Sequence, residues 1–200
     1  MMVLLAVLFL AAGFLCGGVF FSPETAAFFS ESSKWVLYLL MFSVGVSVGA
    51  NRQVFHQMRQ YHVRILVIPA CIIAGSLVGG ALCSWLAGRP LAQGLSVSSG
   101  LGWYSLAGVM LTELSGPAVG SLAFLSNLMR ELVSFLIIPF LAKRLGPYAA
   151  IAPAAATSED TTLSLLRRYT GETAAVMAVV NGVACSAAAP VLMQLFASFG

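Results

Sequence analysis

Long apolar runs separated by short polar interruptions dominate the pattern along the 200 residues. Five of these runs are long enough to cross a bilayer, because about 20 apolar residues in an α-helix match the hydrocarbon thickness. The predicted spans cover residues 2–21, 34–50, 63–86, 117–142 and 172–198. The fold class expected from this pattern is an all-α integral membrane protein surrounded by a lipid bilayer.

Two further apolar segments are interrupted at positions where a span would be continuous. In residues 91–114 the break comes around Ser99 and Gly100, and residues 147–166 are divided by a polar turn at residues 157–160. The predicted fold therefore has about five full transmembrane helices and two re-entrant or broken helical segments. Interrupted helices that meet near the bilayer midplane are typical of transporters.

The positions of Lys and Arg predict how the broken segments run, because these residues collect on the cytoplasmic side. The most basic loop, residues 51–64, is placed inside, which puts the N-terminus inside as well. If residues 91–114 crossed fully, the basic pair 143–144 would fall outside. If both broken segments enter and return from opposite sides, the pairs 143–144 and 167–168 lie inside. The pattern therefore favours two hairpins, with the C-terminus outside.

Composition argues against most other classes of protein. The chain is 60% hydrophobic and 8% charged, whereas soluble domains carry about 25% charged residues. We therefore expect one transmembrane domain over residues 1–200 and no nucleic-acid partner, since no basic cluster exceeds two adjacent residues. The four cysteines lack metal-ligand spacing, and no enzyme motif is present, so no metal site, cofactor or catalytic residue is predicted.

Ionisable side chains inside apolar runs are the first functional candidates, because a charge near the bilayer centre costs about 2.5–3.5 kcal/mol on insertion scales. Asn127, Arg130 and Glu131 share one helix face at spacings i, i+3 and i+4. Arg130 is either a structural partner that neutralises Glu131, or the carboxylate binds a cation and a proton in alternation. A buried ion pair is often no better than apolar packing, which favours the second interpretation.

The polar turn at residues 157–160 has two interpretations. It is either a plain turn with a helix N-cap, or the tip of a hairpin that presents Asp160 and the hydroxyls of Thr157 and Ser158 at mid-depth. The remaining pathway candidates lie in the first interrupted segment or the last span, and are Ser99, Gly100, Trp103, Tyr104, Glu113 and Asn181. Glu113 is alternatively interfacial, and the two aromatic residues alternatively belong to a membrane-interface belt.

The motifs GWYSL, LTE..GP..G, RE and TS-x-D occur together and in this order. With them, the chain from about Gly13 to its C-terminus resembles the lysine exporter family of bacterial inner membranes, the LysO type. The resemblance implies a multi-pass antiporter that exports L-lysine and its toxic analogue thialysine in exchange for H⁺. It also implies two essential intramembrane acids, which fall on Glu131 and Asp160.

The chain departs from the family pattern in two respects. Ser126 and Asn127 stand where family members carry Asn-Asp, so one carboxylate is missing. Single-chain members begin with an extra region of about three spans, which resembles residues 15–55 here, so this chain corresponds to their C-terminal two-thirds. The resemblance therefore implies a small membrane subunit that carries the missing repeat, or pairing of the chain with itself.

Two rival functions stay open at the level of sequence. The chain is alternatively a structural or assembly subunit of a membrane complex, with its acids serving only helix contacts. It is alternatively an exporter of another cationic metabolite, such as arginine, ornithine or a diamine. Replacing Glu131 and Asp160 distinguishes the first rival, because a scaffold would lose assembly whereas an exporter would lose flux.

Overall fold

The computed structural model describes residues 66–200 continuously, together with single positions between residues 8 and 50. The described residues form helices, turns and short irregular connections, and none of them forms a strand. The chain divides into two compact units, residues 1–40 and 41–200. The first unit includes Trp35 and Tyr38, whose rings pack edge to face with centroids 6.0 Å apart.

Three of the predicted spans are helices in the described part of the chain. From residue 66 onward the α-helices are α1 (Val67–Leu86), α2 (Leu91–Ser98), α3 (Tyr104–Ser115), α4 (Pro117–Arg144), α5 (Leu163–Thr170) and α6 (Glu172–Ala197). Of these, α1, α4 and α6 are long and apolar enough to cross a membrane. The predicted spans at residues 2–21 and 34–50, and the basic loop at 51–64, lie outside the continuously described residues.

The first interrupted segment breaks where its sequence predicts, between α2 and α3. A cavity of about 310 Å³ is lined by Pro90 and Ala92 at the start of α2 and by Leu114 and Ser115 at the end of α3. Since both outer ends border one cavity, the segment folds back on itself as a hairpin. We call residues 91–115 the first hairpin and its break, residues 99–103, the first tip.

Close backbone contacts hold the first hairpin between α1 and α4. A Cβ atom at Gly94 of α2 would lie 1.9 Å from Ser84 Oγ and 2.5 Å from the Gly80 carbonyl oxygen of α1. A Cβ atom at Gly120 of α4 would lie 1.8 Å from Thr112 Oγ1 of α3. Because real side chains do not tolerate such distances, both legs of the hairpin depend on glycine for their packing.

The second interrupted segment lies between α4 and α6 and forms two 3-10 helices, Ala149–Ile151 and Ala155–Glu159, followed by α5. The sequence predicts half-length apolar pieces there; the structure makes the incoming piece 3-10 and extends the outgoing helix to Thr170. We call residues 147–170 the second hairpin and residues 152–162 the second tip.

The two tips meet. The backbone N–H of Ala156 donates a hydrogen bond of 3.0 Å to the carbonyl oxygen of Leu101. Leu101 and Ala155 both have left-handed backbone conformations, with φ of 51° and 47°, and both are fully enclosed. Because that conformation costs a non-glycine residue about 1–2 kcal/mol, the surrounding contacts must hold each tip in place.

Of the basic residues predicted to be cytoplasmic, the pairs at residues 143–144 and 167–168 lie in the described part of the chain, at one end of the helices. The second tip contacts the middle of α4 and of α6. The outer ends of the second hairpin therefore lie beside the end of α4, at Lys143 and Arg144, and beside the start of α6. There Arg167 Nε donates to Glu172 Oε1 at 2.7 Å. Arg89, between α1 and α2, lies at the opposite end, beside the outer ends of the first hairpin.

This arrangement predicts the sidedness of chemical labelling. With the four native cysteines replaced by serine, Lys143→Cys and Arg167→Cys should react with a membrane-impermeant maleimide only from the cytoplasmic side. Arg89→Cys should react only from outside, because a hairpin returns the chain to its side of entry. The measurement compares intact cells with everted vesicles, and external labelling of position 143 or 167 would contradict the two-hairpin arrangement.

Candidate functional site

The candidate site lies where the two tips meet α4. Asn127, Arg130 and Glu131 occupy one part of the α4 surface, as their spacing predicts, and Asn127 and Glu131 are buried. Asn127 Oδ1 accepts a hydrogen bond of 2.8 Å from the Gly102 N–H. Its Nδ2 donates to the Val97 carbonyl oxygen at 3.0 Å. Asn127 therefore satisfies the Gly102 N–H, which the break between α2 and α3 leaves without a helical partner, and adds a second donor to the Val97 carbonyl oxygen, which already accepts from the Gly100 N–H.

Gly100 belongs to the same arrangement. A Cβ atom at this position would lie 2.5 Å from Asn127 Nδ2 and 2.8 Å from the Ala107 Cβ atom. Ser99 is also buried, and its hydroxyl donates to the Leu95 carbonyl oxygen at 2.6 Å. In this structure, then, Asn127, Gly100 and Ser99 shape the first tip; their contact with a transported molecule stays a prediction.

Arg130 holds the second tip. Its Nε donates to the Pro153 carbonyl oxygen at 3.1 Å and its Nη2 to the Ala152 carbonyl oxygen at 3.2 Å. Its Nη1 donates to Ser76 Oγ of α1 at 2.9 Å. No ion pair joins Arg130 to Glu131 in the described part of the chain. The structural interpretation of Arg130, that it neutralises Glu131, is therefore not what the structure shows.

Glu131 is the most unusual residue of the site. It is 1% exposed, and neither carboxyl oxygen has a hydrogen-bond partner. The neighbouring Ser134 hydroxyl donates to the backbone oxygen of Glu131, at 2.6 Å, and not to its carboxylate. Burying a charged group without a partner is costly, so an orphaned carboxyl group requires an explanation such as a bound proton or cation.

The structure brings Glu131 and Asp160 together, as the sequence predicts for the two acids. Asp160 directly follows the second 3-10 helix of the second hairpin, and its Oδ1 accepts a hydrogen bond from the Thr161 N–H. The carboxyl groups of Glu131 and Asp160 are close enough for their charges to interact. Tyr104 is within electrostatic range of both acids. These three residues form the acidic cluster of the site.

Thr157, Ser158 and Asn181 fix the second tip against α6. Thr157 Oγ1 donates to the Ala154 carbonyl oxygen at 2.9 Å. Ser158 Oγ lies 2.7 Å from the Ala178 carbonyl oxygen and accepts from Asn181 Nδ2 at 3.0 Å. In this structure the Thr157, Ser158 and Asn181 side chains are hydrogen-bonded within the protein. That the hydroxyls of Thr157 and Ser158 contact a substrate stays a prediction.

The aromatic pair and Glu113 fall in different places. Trp103 precedes α3 and Tyr104 begins it, so both lie at the first tip, which favours the path interpretation over an interface belt. The Tyr104 ring packs edge to face on Phe124, with centroids 5.4 Å apart. Glu113 follows Tyr104 by nine residues along α3, about 13–14 Å at 1.5 Å per residue. It therefore lies away from the acidic cluster, toward the outer end of the first hairpin.

Two residues of the site were not singled out from the sequence. The carboxylate of Glu159 accepts a hydrogen bond of 2.7 Å from Ser186 Oγ, and a Cβ atom at Gly182 would lie 2.5 Å from the Glu159 Cβ atom. The hydroxyl of Thr161 is buried without a partner, like the carboxyl oxygens of Glu131. Their place beside Asp160 in the polar turn is the sequence signal that points to both.

Comparison with known proteins agrees with the motifs. A family model described as lysine exporter LysO matches residues 7–197. The lysine exporter LysO of Escherichia coli is 35% identical over 169 residues, 84% of this chain and 56% of that protein. A putative lysine exporter of Haemophilus influenzae is 33% identical over 168 residues, 84% of this chain and 85% of that protein. The chain thus spans little more than half of the first relative; no solved structure matches.

The contacts of Asn127 predict a loss of stability when its amide is removed. Asn127→Leu keeps the approximate size but orphans the buried Gly102 N–H, at about 1–3 kcal/mol, whereas the Val97 carbonyl oxygen keeps its hydrogen bond from the Gly100 N–H. We expect a clearly lower midpoint of thermal unfolding in detergent. The matched control is Ser126→Leu, at the exposed neighbouring position. Equal midpoints for the two variants would show that Asn127 does not hold the first tip.

Proposed function

Because the chain belongs to the LysO family of lysine exporters, we propose that it exports L-lysine and the analogue thialysine across a bacterial inner membrane in exchange for protons. One observation carries the proposal. Glu131 is buried, has no hydrogen-bond partner and lies beside Asp160, where the tips of two hairpins meet. Such a carboxyl group can be neutralised by a proton or by a cationic substrate, but not by both at once.

We propose that the two hairpins are re-entrant and enter from opposite sides of the membrane, beside five full spans. Interrupted backbone at mid-depth is tolerated only where protein or water surrounds it. The enclosure of Leu101 and Ala155 and the hydrogen bond between the tips support this arrangement.

The substrate requires both anionic and donor groups. Lysine at neutral pH carries two ammonium groups and one carboxylate, and Glu131 and Asp160 are the acids assigned to an ammonium group. Backbone N–H groups at the broken helices are one possible set of donors for the carboxylate of lysine. Those near Gly100 already donate within the first tip or to Asn127, and those of residues 160–162 donate within the second.

Arg130 is therefore the better candidate to bind the substrate carboxylate. A guanidinium group has five N–H donors, of which the three hydrogen bonds of Arg130 use three. Arg130 also borders a cavity of about 590 Å³, lined in part by Gly75 and Gly79 of α1 and by Pro153. A substrate there would have its carboxylate near Arg130; Glu131 and Asp160 do not line this cavity.

Proton exchange solves an electrical problem of export. Moving one positive charge outward against a negative-inside potential costs about 2.3 kcal/mol per 100 mV. If a proton enters for each lysine that leaves, no net charge crosses the membrane. A carboxyl group that holds either a proton or an ammonium group, as proposed for Glu131 and Asp160, performs this exchange.

Neutral replacements of the two acids test the mechanism. Glu131→Gln and Asp160→Asn should each abolish proton-coupled lysine efflux while leaving the amount of protein in the membrane unchanged. The matched control is Glu172→Gln, which removes an exposed carboxylate from its ion pair with Arg167. The measurements are efflux of labelled lysine from loaded cells and growth of a thialysine-sensitive strain.

The same assay separates the alternatives. Export against a gradient by either neutral variant would refute the exchange mechanism at that residue. A structural subunit would be favoured if the neutral variants lose assembly and the parent chain shows no measurable flux. Efflux of arginine, ornithine or a diamine in place of lysine would assign another substrate. Since a small membrane subunit or a second copy stays a predicted partner, each variant is assayed with and without a co-expressed small membrane subunit.

A further inference from the structure

The buried polar atoms that lack partners are concentrated in one place. Between residues 66 and 200, the buried side-chain oxygen and nitrogen atoms without a hydrogen bond are Glu131 Oε1, Glu131 Oε2 and Thr161 Oγ1. Thr161 lies on the second hairpin directly after Asp160, and its hydroxyl is close enough to the Glu131 carboxyl group to act on it. Orphaned groups in contact with each other are each other's natural partners, since a small rotation satisfies both.

Other polar side chains around Glu131 are already engaged. Asn127 is hydrogen-bonded to the first tip, Arg130 to the second tip and to Ser76, and Ser134 to the α4 backbone. Thr161 is also the residue that joins the two acids, because its backbone N–H donates to Asp160 while its hydroxyl faces Glu131. Thr161 therefore lies near both carboxyl groups, and Tyr104, which is also within electrostatic range of both acids, approaches them from α3.

We propose that Thr161 is a positioning residue that links Glu131 to Asp160, and that its hydroxyl hydrogen-bonds the Glu131 carboxyl group in both protonation states. A hydroxyl has one donor and two acceptor sites. It donates to the carboxylate and, after rotation, accepts from the protonated carboxyl group. A residue with only donors or only acceptors satisfies one state and leaves the other orphaned. The proposal rests on the proton exchange put forward above.

The titratable groups around Glu131 are few. Tyr104 faces it from α3, Asp160 from the second hairpin, and Arg130 adjoins it on α4. The packed helix α2 has no titratable residue, and those of α5 (Arg167, Arg168 and Tyr169) lie in its last turn, beside the start of α6. A change at Thr161 therefore acts on Glu131 without removing a charge.

Infrared difference spectroscopy on the purified full chain, titrated with acid and base, tests the link directly. The carbonyl stretch of the protonated Glu131 carboxyl group is identified by its loss in Glu131→Gln. In Thr161→Val the midpoint of this band should move to higher pH by about one unit, because hydrogen bonds to a charged group are stronger than those to a neutral one. Thr161→Ser, which keeps the hydroxyl, should restore the midpoint.

The control for the valine substitution is Thr170→Val, at the far end of α5, which should leave the midpoint unchanged. An unchanged midpoint in Thr161→Val would overturn the inference. The pH at half-maximal lysine efflux should shift with the infrared midpoint. If the midpoint of Thr161→Val is shifted relative to the parent chain but the parent chain exports no lysine, the proposed function fails. The link between Thr161 and Glu131 then still stands.

Discussion

The structure depends on satisfying backbone polar groups where helices stop in apolar surroundings. A continuous helix pairs its own N–H and C=O groups, but each tip exposes several that have no helical partner. The chain answers with two side chains from one helix: Asn127 binds the first tip, and Arg130 binds the second. The hydrogen bond from Ala156 to Leu101 then joins the tips to each other. The hairpins and α4 thus form one unit, in which the site is a consequence of how the breaks are capped.

This capping explains why Glu131 has no countercharge. Arg130 is its neighbour on α4, and a simple account of two adjacent charges in an apolar helix is an ion pair. The carbonyl oxygens of Ala152 and Pro153 compete for the same guanidinium, and with Ser76 they hold all three of its nitrogens. The Arg130 guanidinium is therefore hydrogen-bonded to the second tip and does not pair with Glu131. What results is a buried carboxyl group without a countercharge, which is stable only when something neutralises it.

Much of the architecture could be predicted from the sequence, because spans and breaks depend on local composition. The runs that became α1, α4 and α6 are long and mostly apolar, and the polar and glycine positions around Ser99 and Gly100 mark the first break within a residue or two. The charge pairs at residues 143–144 and 167–168 predicted the shared end of the helices. The choice of Glu131 and Asp160 as the two acids came from the resemblance to the exporter family and not from composition or spacing.

The rest could not be predicted, because it depends on which partners each polar group finds. Spacing puts Arg130 near Glu131 but cannot show that two carbonyl oxygens from another segment bind its guanidinium. Spacing places the hydroxyls of Thr157 and Ser158 in the polar turn, but it cannot show that they lie within hydrogen-bond distance of the carbonyl oxygens of Ala154, Ala155 and Ala178. Nothing in the sequence distinguishes Thr161, because a threonine beside an acid is common. Only the structure shows that its hydroxyl is buried without a partner.

The two kinds of polar residue at the site have opposite requirements, and the fold separates them. In the exchange proposed above, the residues that cap the tips must keep their hydrogen bonds while a substrate passes, because each lost bond leaves a buried backbone group orphaned. The acids would instead change partners in every cycle of that exchange. Asn127, Ser158 and Asn181 are saturated with bonds to the fold, whereas Glu131 has none. If one side chain both capped a tip and bound the proton, the tip would be weakened each time the proton moved. Because different side chains perform these two tasks, the charge of the acids can change while the backbone at the tips stays in place.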